Sequence, residues 1–318
     1  MTWTAQPAIA GLKEGIAAHA KQDYATSIRE FLVLAQQNHA VAQYYLALHY
    51  HHGRGVIRDV KKAARWYTES AKLGYPRAQN NLAWLYQSGN GVKQDYTRAA
   101  YWYTQASPQH LLAKINLAYL YRYGLGVEKS NATAFKLYKE AADQGDGRGL
   151  YELGRLYEKG RGTKKDIKKA VDLYRKAALR RYDRAMYTLG LMYHLGKGVK
   201  KDYIQAERWY RFAMDANSTP GQTRPGYKSA YYGMGQLYKE GLGVPKDHQV
   251  AATYFKQAAD LRHREAAFEV AVLYEKGIGV KKELKLARKY YEISAKLGYR
   301  KAINRLNEMG QNEIQPSS

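Results

Sequence analysis

Apolar positions along this chain recur with the 3.6-residue period of amphipathic helices, and the helices come in pairs. Between Gly11 and Gln37, Leu12, Ile16 and His19 share one stripe, while Ile28, Phe31 and Leu32 mark another beyond a tight break at Gln22-Asp23. Seven further pairs follow. The first helix of each carries an alanine, then Leu-Ala or Leu-Gly, then a tyrosine: Ala42, Leu46, Ala47 and Tyr50 in the first, Ala78, Leu82, Ala83 and Tyr86 in the second, Ala185, Leu189, Gly190 and Tyr193 in the fifth. Spacing i, i+4, i+5, i+8 puts all four on one face, with small residues where helices must come close.

Three residues after the tyrosine comes Gly-x-Gly, which ends the helix by allowing positive φ. It begins at Gly53, Gly89, Gly124, Gly160, Gly196, Gly241 and Gly277, at intervals of 36, 35, 36, 36, 45 and 36 residues. A fixed period in this range predicts a solenoid built from one supersecondary unit. Four residues past the second glycine stands Asp59, Asp95, Ser130, Asp166, Asp202, Asp247 or Glu283. Six of these are good N-caps for a second helix, and Glu283 is the poor one. An apolar or aromatic pair such as Trp66-Tyr67, Trp102-Tyr103, Leu137-Tyr138 or Trp209-Tyr210 marks that helix. The repeated acids and aromatics are therefore structural parts rather than catalytic ones.

The expected organisation is an N-terminal arm over 1–10, a capping helix pair over 11–39, seven repeats over 40–299, a closing helix over 300–309 and a disordered tail over 310–318. Two departures break the metre: the second repeat is one residue short at Ser107-Pro108, and the fifth carries nine extra residues around 217–226. A loop of that length is functional or mobile. Ala8-Ile9-Ala10 has the small-x-small form of a signal cleavage site. If a longer leader precedes it in the gene, the chain is periplasmic or secreted; otherwise it is cytoplasmic.

With 45% apolar residues and no transmembrane run, the composition is that of a soluble, folded chain. Thirty-one tyrosines against five phenylalanines predict half-buried rings whose hydroxyls reach water or a partner. There is no cysteine, so disulfides and thiolate sites are excluded. The net charge of +24 implies long-range attraction to acidic partners. Residues 148–211 hold 18 Lys+Arg against 7 Asp+Glu, a net of +11 in a fifth of the chain.

The pattern Ala-x3-Leu-Gly/Ala-x2-Tyr-x2-Gly-x-Gly-Val-x3-Asp-x3-Ala-x2-Trp-Tyr-x2-Ala resembles the Sel-one-like repeat (SLR), a relative of the tetratricopeptide repeat, over about residues 40 to 300. The resemblance implies an all-α, right-handed superhelical α-solenoid of antiparallel helix pairs, with first helices lining the concave side. It implies adaptor or scaffold roles, often in bacterial envelopes, signalling and host contact. Disulfide-rich members linked to β-lactams are set apart by cysteine pairs that this chain lacks.

If the Ala/Leu/Ala/Tyr face is buried, the stripe at −1, +3, +6 and +10 from the first alanine is the surface open to a ligand. Its aromatic members Tyr45, Trp84, Tyr119 and Tyr123 lead into Arg148, Arg155 and Arg184. These are the residue types that dominate interface hot spots, at ~2 kcal/mol or more each. They predict a protein partner with an extended, partly acidic segment, bound by a monomer. Immunity against an acidic secreted toxin is an alternative within that class. A second surface is a basic rim, Lys164, Lys165, Lys200, Lys201, Lys281 and Lys282, at one phase after Gly-x-Gly. It offers a nucleic acid or an anionic envelope polymer a place to bind, although no nucleic-acid reading motif accompanies it. His49 and His52 are spaced i, i+3, but no local carboxylate or thiol completes a metal set. His49 stands where other repeats place Leu or Met, which predicts packing against the next repeat. No nucleophile motif, phosphate loop or catalytic carboxylate pair is present, so neither enzyme activity nor a cofactor is expected.

Overall fold

The computed structural model describes residues 5–216, 218–219, 222–223 and 228–314. The capping pair is α1 (Ala5–Ala20) and α2 (Tyr24–Gln36). First helices of the seven repeats are α3 (Ala40–His52), α5 (Pro76–Ser88), α7 (Leu111–Tyr123), α9 (Gly147–Lys159), α11 (Asp183–Leu195), α13 (Lys228–Glu240) and α15 (Arg264–Lys276). Their second helices are α4 (Val60–Lys72), α6 (Tyr96–Ala106), α8 (Asn131–Asp143), α10 (Ile167–Leu179), α12 (Tyr203–Asp215), α14 (His248–Asp260) and α16 (Leu284–Lys296), and α17 (Arg300–Ile314) follows. Two short strands, β1 (Ser218–Thr219) and β2 (Gln222–Thr223), pair antiparallel between α12 and α13.

The chain divides into two compact units, Met1–Gln144 with Arg161–Lys164, and Gly145–Gly160 with Lys165–Ser318. In the first, α1 to α8 each pack on the next in sequence; in the second, α9 to α17 do the same. This nearest-neighbour packing is what a 36-residue period requires, since one pair cannot bury its apolar face alone.

Both ends differ from the expectation. Helix α1 starts at Ala5, so residues 5–10, Ala8-Ile9-Ala10 among them, are helical rather than an arm. Pro7 falls in the first turn, where its missing N–H costs nothing. Helix α17 runs to Ile314, taking in 310–314 of the expected tail, because Gly310 is followed by residues that continue a helix. Residues 1–4 and 315–318, and most of the 217–226 insertion, lie outside the described residues. Helix α6 has 11 residues where its counterparts have 13, since Pro108 stops it early.

All six good caps act: the side chains of Asp59, Asp95, Ser130, Asp166, Asp202 and Asp247 accept from backbone N–H groups of the first turn, and Glu283 makes no such bond. Each second helix, α2 included, drives one ring into the core. Phe31, Tyr67, Tyr103, Tyr138, Tyr174, Tyr210, Phe255 and Tyr291 are all at most 1% exposed. Leu-Gly in the first helix makes room for that ring: a Cβ on Gly154 would stand 2.8 Å from Tyr174.

The buried hydroxyls have a rule of their own. Five of them reach sixteen residues back, to the residue following the repeat tyrosine: Tyr103 donates to Gln87 (2.9 Å), Tyr174 to Glu158 (2.7 Å) and Tyr291 to Glu275 (2.6 Å), while Tyr67 meets His51 and Tyr210 meets His194, both at 3.3 Å. Where the ring is Phe255 and has no hydroxyl, the residue at that place, Lys239, turns to Glu269 instead (2.9 Å). A buried hydroxyl left without a partner would cost ~1–3 kcal/mol, which is why partner and ring go together.

Candidate partner-binding face

Because the three core positions of each first helix, Ala, Leu and Ala or Gly with Gly149, Met234 and Val270 as variants, are buried, the adjacent stripe is what each first helix leaves to solvent. Of its 28 positions, spread over seven helices, only Glu152 and Gly233 are buried. Its aromatic members sit in the first unit, with Arg77, and Arg148, Arg155 and Arg184 sit in the second.

In the first unit the aromatics divide by how far they are already used. Tyr45 stacks on Phe31 at 4.8 Å and meets His19 edge-on at 5.2 Å, so its ring is a packing element. Trp84 is 42% exposed and stacks on one side against His51. Tyr119 and Tyr123 lie 4.6 Å apart, with the Arg122 guanidinium 5.3 Å from the Tyr123 centroid and Tyr123 45% exposed. Trp84 and Tyr123 therefore keep exposed aromatic surface, whereas Tyr45 is taken up in packing.

In the second unit Arg155 reaches Glu152 at 3.4 Å and lies 5.9 Å from the Tyr151 ring centroid. Arg148 is half-buried and Arg184, in the first turn of α11, is exposed. Tyr151 and Tyr182 are 5.3 Å apart beneath them. Burial raises the Tyr182 pKa to about 12, with Arg184 and Arg148 pulling the other way.

The rim lysines Lys164, Lys165, Lys200, Lys201, Lys281 and Lys282 are all exposed, Lys164 in the first unit and the other five in the second. The two lysines of each pair are not equivalent. In the structure the second member has a structural job: the β-carbons of Lys165, Lys201 and Lys282 pack over the first glycine of their own loop, 3.1–3.2 Å from where its Cβ would be.

The histidines are a correction. His49 is fully buried and packs backwards, not against the next repeat: its ring lies against His19, Tyr24 and Phe31 of the capping pair. Its Nδ1 donates to the Arg54 carbonyl (2.8 Å), leaving Nε2 to accept from Ser27 Oγ (3.0 Å), with His19 Nδ1 at 3.2 Å. It is His51 that faces forward, to Tyr67 and Trp84. Among the described residues no group of three or more His, Asp or Glu is placed to hold a metal ion.

Burial holds His19, His49, His51 and His52 below the ordinary imidazole pKa, with Arg54 or Arg58 adding to it. The folded chain thus binds fewer protons here than the unfolded one. This stability is complete above the unfolded value near 6.5 and declines as pH falls below it, through the lowered folded values. We expect thermal midpoints to drop by several degrees between pH 7.5 and 5.0, and His49→Leu to shrink that drop. An equal drop in the variant would place the titration elsewhere.

Comparison with known proteins gives the architecture a family context. A model of the Sel1 repeat matches residues 40–75, 76–107, 111–146, 147–182, 183–218, 228–263 and 264–299. Among solved structures the chain is similar to a protective antigen present in uropathogenic Escherichia coli strains that displays an SLR fold, at 29% identity and TM-score 0.71 over 86% of this chain and 57% of that one. It therefore spans little more than half the length of that antigen. It is also similar to a Sel1 repeat protein from Oxalobacter formigenes, at 28% identity and TM-score 0.70 over 89% of this chain and 80% of that one. An immunity protein from Pseudomonas aeruginosa is more distant, 20% identical with TM-score 0.47 over 70% of this chain and 81% of that one, and carries no argument about the partner here. No curated protein matches the chain significantly.

Proposed function

The chain belongs to the Sel1 repeat family, whose members in general are non-enzymatic scaffolds that mediate protein–protein interaction, and on that footing we propose that it binds a protein partner along the exposed stripe of its first helices. One observation carries this reading: the buried face recurs from repeat to repeat, while the stripe beside it changes residue by residue and stays open. Trp84 and Tyr123 give that stripe exposed aromatic surface of the kind interface anchors use. The positive charge, +24 in all, and the arginines of the second unit favour a partner that presents carboxylates. No catalytic role is part of the reading. None of the 17 helices is long and apolar enough, among the described residues, to cross a membrane.

The test begins with capture of partners from the source lysate at low and high salt, identified by mass spectrometry. The captured protein is then titrated against the double variant Trp84→Ala, Arg155→Ala. The expected result is an affinity loss of at least about tenfold, as for two interface anchors. Unchanged affinity would sink the stripe as the binding face.

A further inference from the structure

The first repeat departs from the other six at one place just past its Gly-x-Gly loop. Two residues beyond the second glycine stands Ile57, where four repeats have Lys93, Lys164, Lys200 or Lys281 and the remaining two have Glu128 and Pro245. Ile57 is 91% exposed, more than any other large apolar side chain among the described residues. A single apolar residue on a surface is ordinary, so its exposure alone carries nothing. Its surroundings do. Ile57 borders an open cavity of about 710 Å³ whose walls also include Tyr50, Val56 and Val60, together with the cations Arg58, Lys61 and Lys62.

Contacts already made hold this cavity in shape. Gly91 of the next loop lies in its wall, and a Cβ there would stand 2.8 Å from the Val60 backbone, so the loop is seated directly on the start of α4. Arg58 Nε donates to the His51 carbonyl at 3.1 Å, which fixes the guanidinium and leaves its remaining N–H groups as donors. Lys62 Nζ lies 5.5 Å from the Tyr50 ring centroid. Asp59, the one carboxylate in the wall, is taken up as the cap of α4, accepting from the Lys62 backbone N–H at 2.9 Å. Equivalent cavities of about 510 and 650 Å³ lie beside Tyr86 and Tyr193, and in each a lysine, Lys93 or Lys200, takes the place of Ile57. The one beside Tyr193 has an isoleucine elsewhere in its wall, Ile204, which is 57% exposed. Of the three, only the cavity beside Tyr50 combines an almost fully exposed isoleucine with three cations.

Apolar walls with cations among them suit an apolar group that has carboxylates beside it. A bilayer meets a protein as a plane and would leave the cavity unfilled, whereas a polypeptide can put a side chain into it. The cavity also joins the stripe of the first unit: His51, whose carbonyl holds Arg58, stacks its ring on Trp84 at 5.7 Å. We propose that the loop cavity of the first repeat, bordered by Ile57, anchors an acidic segment of the protein partner through an apolar side chain set between carboxylates. This rests on the scaffold reading above and gives that partner a second, apolar point of attachment at the loop edge.

Full-length protein is titrated by fluorescence anisotropy with a labelled glutamate-rich peptide carrying one leucine, and with the same peptide carrying serine instead. Sedimentation with vesicles of phosphatidylserine and phosphatidylcholine runs beside it. Ile57→Lys matches what four other repeats carry at that place, so the melting temperature should hold, and it adds a positive charge. It should weaken the leucine peptide about tenfold, as for loss of an anchor contact, and leave the serine peptide unchanged or slightly tighter. A surface acting by charge alone would bind both peptides at least as tightly after the substitution. Lys61→Ala, Lys62→Ala should weaken both about threefold, with the loss shrinking at raised salt. Ile204→Lys should change neither by more than about twofold. Undiminished binding of the leucine peptide to Ile57→Lys, or an equal loss in Ile204→Lys, would overturn the proposal. So would vesicles that carry down the parent and not Ile57→Lys, since the occupant would then be lipid. If Trp84→Ala, Arg155→Ala weakens the captured partner while Ile57→Lys leaves it unchanged, the stripe stands and this anchor falls; the reverse pattern keeps the anchor and removes the stripe.

Discussion

Gly126→Ala is expected to destabilise its half of the chain by about 4 kcal/mol, combining left-handed backbone strain with overpacking. The two glycines of each loop look alike in sequence and do different work. Gly124, at φ 69°, is the αL cap of α7, and its N–H returns to the Leu120 carbonyl. A Cβ there would meet the Lys129 β-carbon at 3.0 Å, a tight contact but one with a loop side chain rather than with helix backbone. Gly126, at φ 68°, lies against the backbone of the preceding repeat, and a Cβ would overlap the Tyr96 carbonyl and the Thr97 nitrogen at the start of α6. Helix backbone cannot move aside. The same holds at Gly91 against Val60 and Gly162 against Asn131, so the second glycine is the point where successive repeats touch. Urea unfolding of Gly124→Ala and Gly126→Ala measures the contrast. Gly124→Ala should lose only about 1–2 kcal/mol, the strain alone. Hydrogen exchange should show the Gly126→Ala loss confined to helices of the first unit, as nearest-neighbour stability requires. Equal costs would mean that the inter-repeat contact has no special weight.

Tyr174→Ala is expected to cost about 4 kcal/mol, the range for removing a buried aromatic ring. The ring is fully buried against Gly154, a residue too small to fill the gap it would leave. Its hydroxyl donates to Glu158, which also receives Lys197 Nζ at 2.6 Å. Burial pushes the Glu158 pKa up, but the bonds from Lys197 and Tyr174 outweigh it and leave the carboxyl below its ordinary value. Burial and that same bond raise the Tyr174 pKa well above its ordinary value, so the phenol stays protonated as donor. Tyr174→Phe should cost only about 1 kcal/mol, one hydrogen bond, because Lys197 still satisfies Glu158. Phe255 shows the chain tolerating a ring without a hydroxyl. Since the folded Glu158 pKa is depressed, its contribution is present above the unfolded value and lost as pH falls through the folded one. The cost of Tyr174→Phe should therefore shrink below about pH 4.5. Denaturant melts of both variants at neutral and acid pH give the answer; a Phe cost matching the Ala cost would move the weight from ring to hydroxyl.

What the sequence determined by itself is everything that repeats. Seven copies of one motif act as an internal alignment, so the buried alanines, the caps at Asp59 through Asp247, the weak cap at Glu283 and the helix pairs could be read from spacing alone. Periodicity works because a helix of 3.6 residues per turn must put those positions on one face. Breaks at the ends, Ala5 and Ile314, were misjudged because helix termini fray into sequence that propensity barely distinguishes.

Tertiary structure alone decided whatever depends on a neighbour sixteen or thirty residues away. The Tyr174–Glu158 bond joins two helices whose side-chain directions no linear pattern states, although the missing hydroxyl at Phe255 beside Lys239 was a signal within the chain. His49 turned backwards because its Nδ1 found the Arg54 carbonyl and its Nε2 found Ser27, partners set by how α3 packs on the capping pair. Sequence reports which residues are buried; backbone conformation and packing decide which partner each buried polar group finds.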